Sequence, residues 1–182
     1  MLEHRDTCAP APTIERWAGS VPAGGAVLDV AAGGGRHARL FLRRGHPVTA
    51  VDRDLGAFAG ATDARLELVT ADLEAGPWPF PGRSFAGVVV CNYLWRPLLP
   101  VLVASVAPGG VLLYDTFAVG NERFGRPRNP DFLLRPGELL DAVRGTLDVL
   151  EYAHGEVGEP PTAVRQRLLA VRASAAGGTT TA

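Results

Sequence analysis

Residues 26–54 restrict the fold more than any other stretch of the chain, because they combine an apolar run, three consecutive glycines, a helical pattern and a second apolar run that ends on an acid. Residues 26–32 are apolar apart from Asp29, the pattern of a strand buried on both faces of a parallel sheet. Gly33, Gly34 and Gly35 then let the backbone turn sharply and approach a ligand with no Cβ in the way. Residues 36–44 follow a helical period with Ala38, Phe41 and Leu42 on one face; Gly45 supplies the stop and Pro47 forbids more helix. A second strand, residues 48–51, ends on Asp52. The unit is strand, glycine turn, helix, strand.

Two acids in this unit call for explanation. Asp29 sits in an apolar strand, where a carboxylate is costly unless donors from the backbone or a ligand meet it. Asp52 lies 17 to 19 residues beyond Gly35 and Gly33, where an acid at the end of the second strand meets the hydroxyls of a ribose. The spacing predicts a pocket for an adenosine-type nucleoside. Gly33-x-Gly35-x-x-Ala38 also fits the dinucleotide fingerprint, so a nicotinamide or flavin dinucleotide and S-adenosylmethionine both remain open on these residues.

Length and composition exclude several alternatives. The 182 residues suit one α/β domain and leave no room for a cofactor domain plus a full substrate domain. A net charge of −1 gives no general attraction to nucleic acid or an anionic membrane. All 18 basic residues are arginine, which removes a lysine Schiff base, a Walker lysine and the Tyr-x-x-x-Lys pair of a nicotinamide reductase. Cys8 and Cys91 are expected to be reduced, structural thiols of a cytoplasmic protein, no metal cluster is expected, and no apolar run reaches the roughly 18 residues of a membrane span.

Along the chain, residues 1–12 are expected to be a loose leader able to fold over a cleft mouth, residues 13–173 one domain, and residues 174–182 a disordered tail. A short helix is expected at residues 14–17 with Trp17 in the core, and another within residues 55–61. Further strands are expected at residues 65–70, 84–91 and 111–114, with a helix over 94–106 and a Pro108-Gly109-Gly110 turn before the fifth strand. Asp72, Asn92, Tyr93 and Asp115 each fall just past a strand, at the carboxyl edge of the sheet. Residues 118–135 read as a functional loop, pinned by Phe124 and Phe132 and carrying Arg123, Arg126 and Arg128 as a carboxylate or phosphate clamp. A helix from Pro136 to Val143 precedes strands at 146–153 and 163–173, an antiparallel hairpin. His37 is expected in the first turn of its helix, and His46 and His154 at the surface.

Five strand and helix units followed by a terminal hairpin resemble the class I S-adenosylmethionine-dependent methyltransferases over residues 13–173. Asp29-Val30-Ala31-Ala32-Gly33-Gly34-Gly35 is similar to the family's first motif, with Ala31 in place of its first glycine, which requires a negative φ at that position. Val51-Asp52-Arg53 resembles the second motif, Ala71-Asp72-Leu73 the adenine station, Cys91-Asn92-Tyr93 the motif after the fourth strand, and Pro108-Gly109-Gly110 the turn before the fifth. The resemblance implies an α/β, Rossmann-like, doubly wound seven-stranded sheet of order 3-2-1-4-5-7-6 with strand 7 antiparallel. It implies S-adenosylmethionine as cofactor, with Asp29, Ala31, Gly33 and Gly35 at its methionine part, Asp52 and Arg53 at the ribose, Asp72 and Leu73 at the adenine, and Asn92 nearby. A small-molecule methyl acceptor would meet Tyr93, Asp115, Arg126 and Arg128, and in-line displacement at an activated sulfonium needs no fixed catalytic set. A nicotinamide oxidoreductase and a non-catalytic cofactor-binding domain are the alternatives.

Overall fold

A computed structural model describes residues 9–174. Seven strands form one sheet in the order β3-β2-β1-β4-β5-β7-β6. These are β1 (Val27–Val30), β2 (Val48–Asp52), β3 (Leu66–Thr70), β4 (Phe85–Cys91), β5 (Val106–Phe117), β6 (Asp148–Val157) and β7 (Ala163–Val171). The first five pair in parallel, while β7 runs antiparallel to both β5 and β6. The expected order and the antiparallel seventh strand are thus both found.

One face of the sheet is covered by α1 (Pro12–Trp17) and α2 (Arg36–Arg43), whose Ile14, Trp17, Ala38 and Phe41 pack with Val27, Val89 and Leu113. The other is covered by α3 (Leu99–Ala104) and α4 (Glu138–Val143), packed on Leu28, Val88, Leu112 and Leu168. Trp17 is buried as expected, and its Nε1 donates to Glu151 on β6 at 2.9 Å.

Several local expectations are corrected. A 3-10 turn over Arg96–Leu98 precedes α3, so Pro100 falls in the helix's own first turn, where its missing N–H costs nothing. The Pro-Gly-Gly segment is an irregularity inside β5: Phe85 pairs with Val106, but Gly87 pairs with Val111. No α-helix flanks β3 among the described residues. A 3-10 turn at Gly56–Phe58 precedes it, and the proline-rich segment 77–82 follows, so β3 is an edge strand with Leu68 40% exposed. His46 is buried, not superficial, with Nδ1 2.9 Å from the Gly25 carbonyl and its ring edge-on to Phe41. Cys91 is a free, buried thiol with its pKa pushed up to about 11 by burial and the nearby Asp115; Cys8 lies outside the described residues, as do residues 1–7 of the leader and 175–182 of the tail. No described helix is long and apolar enough to cross a membrane.

Candidate cofactor and acceptor site

The glycine turn is held from two sides by carboxylates. At the start of α2, Gly35 occupies the cap position with φ +71°, and it brings no side chain to cap the helix. A Cβ there would meet the Phe58 ring at 2.5 Å, so glycine is required twice over. The missing cap comes from the strand: Asp29 Oδ2 accepts the Ala38 amide at 2.8 Å. Asp52 grips the other end of the turn. Its Oδ2 accepts the Gly33 amide at 2.8 Å and its Oδ1 the Asp54 amide at 3.0 Å. Two acids that read as ligand contacts in the sequence are therefore first of all anchors of the turn.

Their exposure separates their roles. Asp29 is 1% exposed, and burial drives its pKa up to about 7 despite the Ala38 bond. It bonds the Ala38 amide and is not among the residues that line the cavity beyond the turn. Asp52 does reach it, and its carboxylate is half-buried at the end of β2.

That first cavity, about 370 Å³, is lined by Ala31, Asp52, Arg53, Ala71, Asp72, Leu73, Glu74, Tyr93 and Phe132. It gathers six of the residues expected from the sequence, from the ends of β1 to β4. Gly33 and Gly35 shape the adjoining turn without lining the cavity. Asp72 Oδ1 accepts the amides of Glu74 and Ala75 at 2.9 and 3.0 Å, and these bonds hold its pKa below the usual carboxylate value. Three carboxylates against Arg53 leave the lining net negative. The Tyr93 hydroxyl is buried there without a hydrogen-bond partner among the described residues, and burial together with the Glu74 charge raises its pKa.

An unpaired buried hydroxyl carries its full desolvation cost, so Tyr93→Phe should raise the stability of the ligand-free protein by about 1 kcal/mol, read from urea unfolding. A loss of similar size would mean that the hydroxyl already has a partner.

Ala31 corrects a further expectation. The substitution of the motif's first glycine requires a negative φ, yet Ala31 lies at φ +52°. The strain is retained where the chain must leave β1 and enter the turn. Ala31→Gly should therefore stabilise the protein by about 0.5 to 1 kcal/mol, measured as a shift in denaturation midpoint at constant m-value.

A second cavity of about 350 Å³ lies on the α1 side and is lined by Pro10 to Thr13, Arg36, Asn92, Asp115, Val157, Arg165 and Arg167. A third, about 300 Å³, is lined by Glu74, Asn92, Tyr93, Leu94, Thr116, Phe117, Pro127 and Phe132. Asn92, expected beside the cofactor, lines these two and not the first. At φ +56° its Oδ1 accepts from Arg165 at 2.6 Å. Asp115 is buried and ion-paired with Arg165 at 2.6 Å. Arg126 and Arg128 are exposed and line none of these three cavities.

The loop itself is firmly stapled. Arg96 donates to the carbonyls of Asp131 and Leu133, both at 2.8 Å, and pairs with the buried Glu138 at 2.6 Å. Phe132, between those two carbonyls, is thereby held over the first and third cavities, while the Pro127 carbonyl accepts from Asn121 Nδ2 at 3.1 Å. Sequence reasoning missed Arg36, Arg165 and Arg167, although the two-residue spacing of the last pair on a strand already places both on one sheet face.

A parallel sheet reversing its strand order beside a glycine turn defines a doubly wound α/β domain, whose ligands lie at the carboxyl edge of the strands. Comparison with known proteins narrows the class. Residues 27–110 match the family model described as a methyltransferase domain. The malonyl-[acyl-carrier protein] O-methyltransferase of Serratia marcescens is 32% identical over 111 residues, covering 57% of this chain and 42% of that protein, so the chain spans less than half the length of this curated relative. TehB from Haemophilus influenzae superposes with a TM-score of 0.67 at 18% identity, covering 87% of this chain and 61% of that one. A Burkholderia thailandensis 1,6-didemethyltoxoflavin-N1-methyltransferase, solved with 1,6-didemethyltoxoflavin and S-adenosylhomocysteine, has a TM-score of 0.66 at 20% identity, covering 90% and 77%. The family model covers less than half of the chain, so the comparisons show a resemblance to a methyltransferase domain over residues 27–110 and a fold shared with these solved structures.

The residues present fit S-adenosylmethionine, the cofactor expected from the sequence. The first cavity offers a half-buried carboxylate for ribose hydroxyls, a net negative lining suited to a sulfonium cation, and an orphaned hydroxyl that a ligand would satisfy.

Proposed function

We propose that the protein transfers a methyl group from S-adenosylmethionine to a small-molecule acceptor by in-line displacement. The observation that carries this reading is Asp52, whose carboxylate ends β2, holds the glycine turn through Gly33 and still faces the first cavity. In this assignment Asp52 holds the ribose hydroxyls, Asp72 and Leu73 meet the adenine, and the Tyr93 hydroxyl points along the border between cofactor and acceptor. When bound, the cofactor supplies a methyl group already activated by its positive sulfur. The chain's own contribution is then to orient the acceptor and exclude water, which Phe132 and Pro127 do from the stapled loop.

A small-molecule acceptor is supported by the third cavity, whose Leu94, Phe117, Pro127 and Phe132 offer apolar walls for a compact ligand. The named substrates of the relatives differ from one another and assign none to this chain. Thermal shift with S-adenosylhomocysteine beside NAD+ and NADP+ tests the reading against its nicotinamide alternative. Stabilisation by S-adenosylhomocysteine alone is expected, and stabilisation by a dinucleotide alone would replace it. Turnover of a methyl-labelled donor against candidate acceptors then separates an enzyme from a non-catalytic cofactor-binding domain.

A further inference from the structure

We infer that the methyl acceptor is an uncharged aromatic amine, seated in the third cavity with Glu74 receiving the proton that its nitrogen gives up. The inference rests on the methyltransferase reading above and names the chemistry of the acceptor.

Two cavities meet at a shared wall. Glu74, Tyr93 and Phe132 line both the first cavity, taken by the cofactor in the reading above, and the third. A methyl group passing from one to the other crosses there. Among the described residues that line the third cavity, Glu74 carries the only formal charge. Arg165 stacks over the Phe117 ring at 4.4 Å, but its own charge is met by Asp115 at 2.6 Å. An acceptor with a carboxylate or phosphate would therefore bring a second negative charge against Glu74. The walls added by Leu94, Phe117 and Pro127 to the rings of Tyr93 and Phe132 suit a flat, apolar body.

Glu74 is placed to act on such a ligand. Its amide donates to Asp72 Oδ1 at 2.9 Å, which fixes the backbone, while its carboxylate accepts no hydrogen bond among the described residues. Of the carboxylates that act on the Tyr93 hydroxyl, Glu74 acts most strongly, ahead of Asp72 and Asp52, which sets its charge against the shared wall.

The fate of the proton then separates nitrogen from oxygen. Glu74 and Tyr93 are the two titratable side chains that line the third cavity among the described residues. Burial and the Glu74 charge raise the Tyr93 pKa, so this hydroxyl keeps its proton. A carboxylate is about six pKa units less basic than a phenolate, too weak a base to activate a phenol. An aromatic amine needs no such activation, because it attacks with a lone pair it already holds. Its nitrogen forms the N–C bond while the C–S electron pair returns to sulfur, leaving a neutral thioether and a positively charged N–H nitrogen. The Glu74 carboxylate stabilises that charge as it develops and then takes the proton, so the methylated amine leaves neutral. Glu74 is exposed, and water carries the proton away.

Naphthylamine, naphthol and naphthoate share one flat frame and differ in a single polar group. Titrated by calorimetry into the protein saturated with S-adenosylhomocysteine, naphthylamine should bind at least about tenfold more tightly than naphthoate. With labelled S-adenosylmethionine, naphthylamine should be methylated at least about tenfold faster than naphthol. Glu74→Gln keeps an oxygen that accepts from N–H and removes the charge. It should hold naphthylamine affinity within about threefold, slow single-turnover transfer at least about tenfold, and strengthen naphthoate binding. A merely structural role for Glu74 would weaken all three ligands alike, and that outcome would remove it as the proton acceptor. Equal or tighter binding of naphthoate by the unaltered protein, faster methylation of naphthol, or no methylation of naphthylamine would overturn the acceptor class. Should Glu74→Gln fail to fold, the three-ligand comparison on the unaltered protein decides. Failure of S-adenosylhomocysteine to bind the unaltered protein would sink the methyltransferase reading, while the order of naphthylamine and naphthoate affinities would still decide whether the third cavity selects an aromatic amine.

Discussion

Asp52→Ala should weaken S-adenosylhomocysteine binding by about 1.5 to 3 kcal/mol, roughly a 10- to 150-fold rise in Kd by calorimetry. The size follows from losing hydrogen bonds between ribose hydroxyls and a charged acceptor. A second loss accompanies it, because Gly33 and Asp54 each leave an amide without its carboxylate partner. The glycine turn should then loosen in the absence of any ligand, with unfolding midpoints falling by an amount worth about 1 kcal/mol. Asp52→Asn separates the two effects: it keeps an acceptor oxygen for the Gly33 amide and removes the charge. If Asp52→Asn restores stability and leaves affinity low, the carboxylate acts on the ligand as well as on the turn. If both variants bind as tightly as the unaltered protein, Asp52 is a structural anchor alone and the nucleoside assignment of the first cavity is wrong.

The sheet was legible in the sequence because its signals are local and redundant. Apolar strands of the right length, a glycine turn after the first, and a hairpin spacing at the end each follow from backbone sterics and burial. Strand order and the antiparallel seventh strand came through the resemblance those signals support. The first cavity was legible for the same reason: in a doubly wound sheet, residues just past each parallel strand meet at one edge, so Asp52, Asp72 and Tyr93 converge without any knowledge of side-chain packing.

What stayed hidden depends on contacts between distant segments. Asp29 reads as a ligand contact until the start of α2 is seen to need a cap that Gly35 does not supply. His46 precedes a proline in a loop and reads as superficial, yet the Gly25 carbonyl, 21 residues away, draws its ring inward. The loop arginines drew attention because they cluster in sequence, whereas the arginines that line the second cavity come from α2 and β7, more than a hundred residues apart. Ala31 shows a different limit, since a residue type gives a preference for φ and the surrounding turn overrides it.

Asp29→Asn should make the protein more stable at pH 8 and should nearly lose that advantage at about pH 4. In the folded chain the Asp29 pKa is raised to about 7 from its ordinary 3.8 by burial, partly opposed by the Ala38 amide and the Arg36 charge. Between those values the folded protein keeps a proton that the unfolded chain has released. Stability from this group is therefore complete below pH 4 and declines by about 1.4 kcal/mol per pH unit until pH 7, where it levels off. Asparagine cannot ionise, and its Oδ1 still accepts from Ala38, so the variant is free of that decline. The gap between the two proteins should widen by about 4 kcal/mol from pH 4 to pH 8 in urea titrations. Measuring the change in the gap and not its value at one pH cancels any constant cost of burying the amide's N–H groups. A gap that stays level across this range would show that Asp29 ionises freely inside the fold, and the start of α2 would then be held by a carboxylate at every working pH.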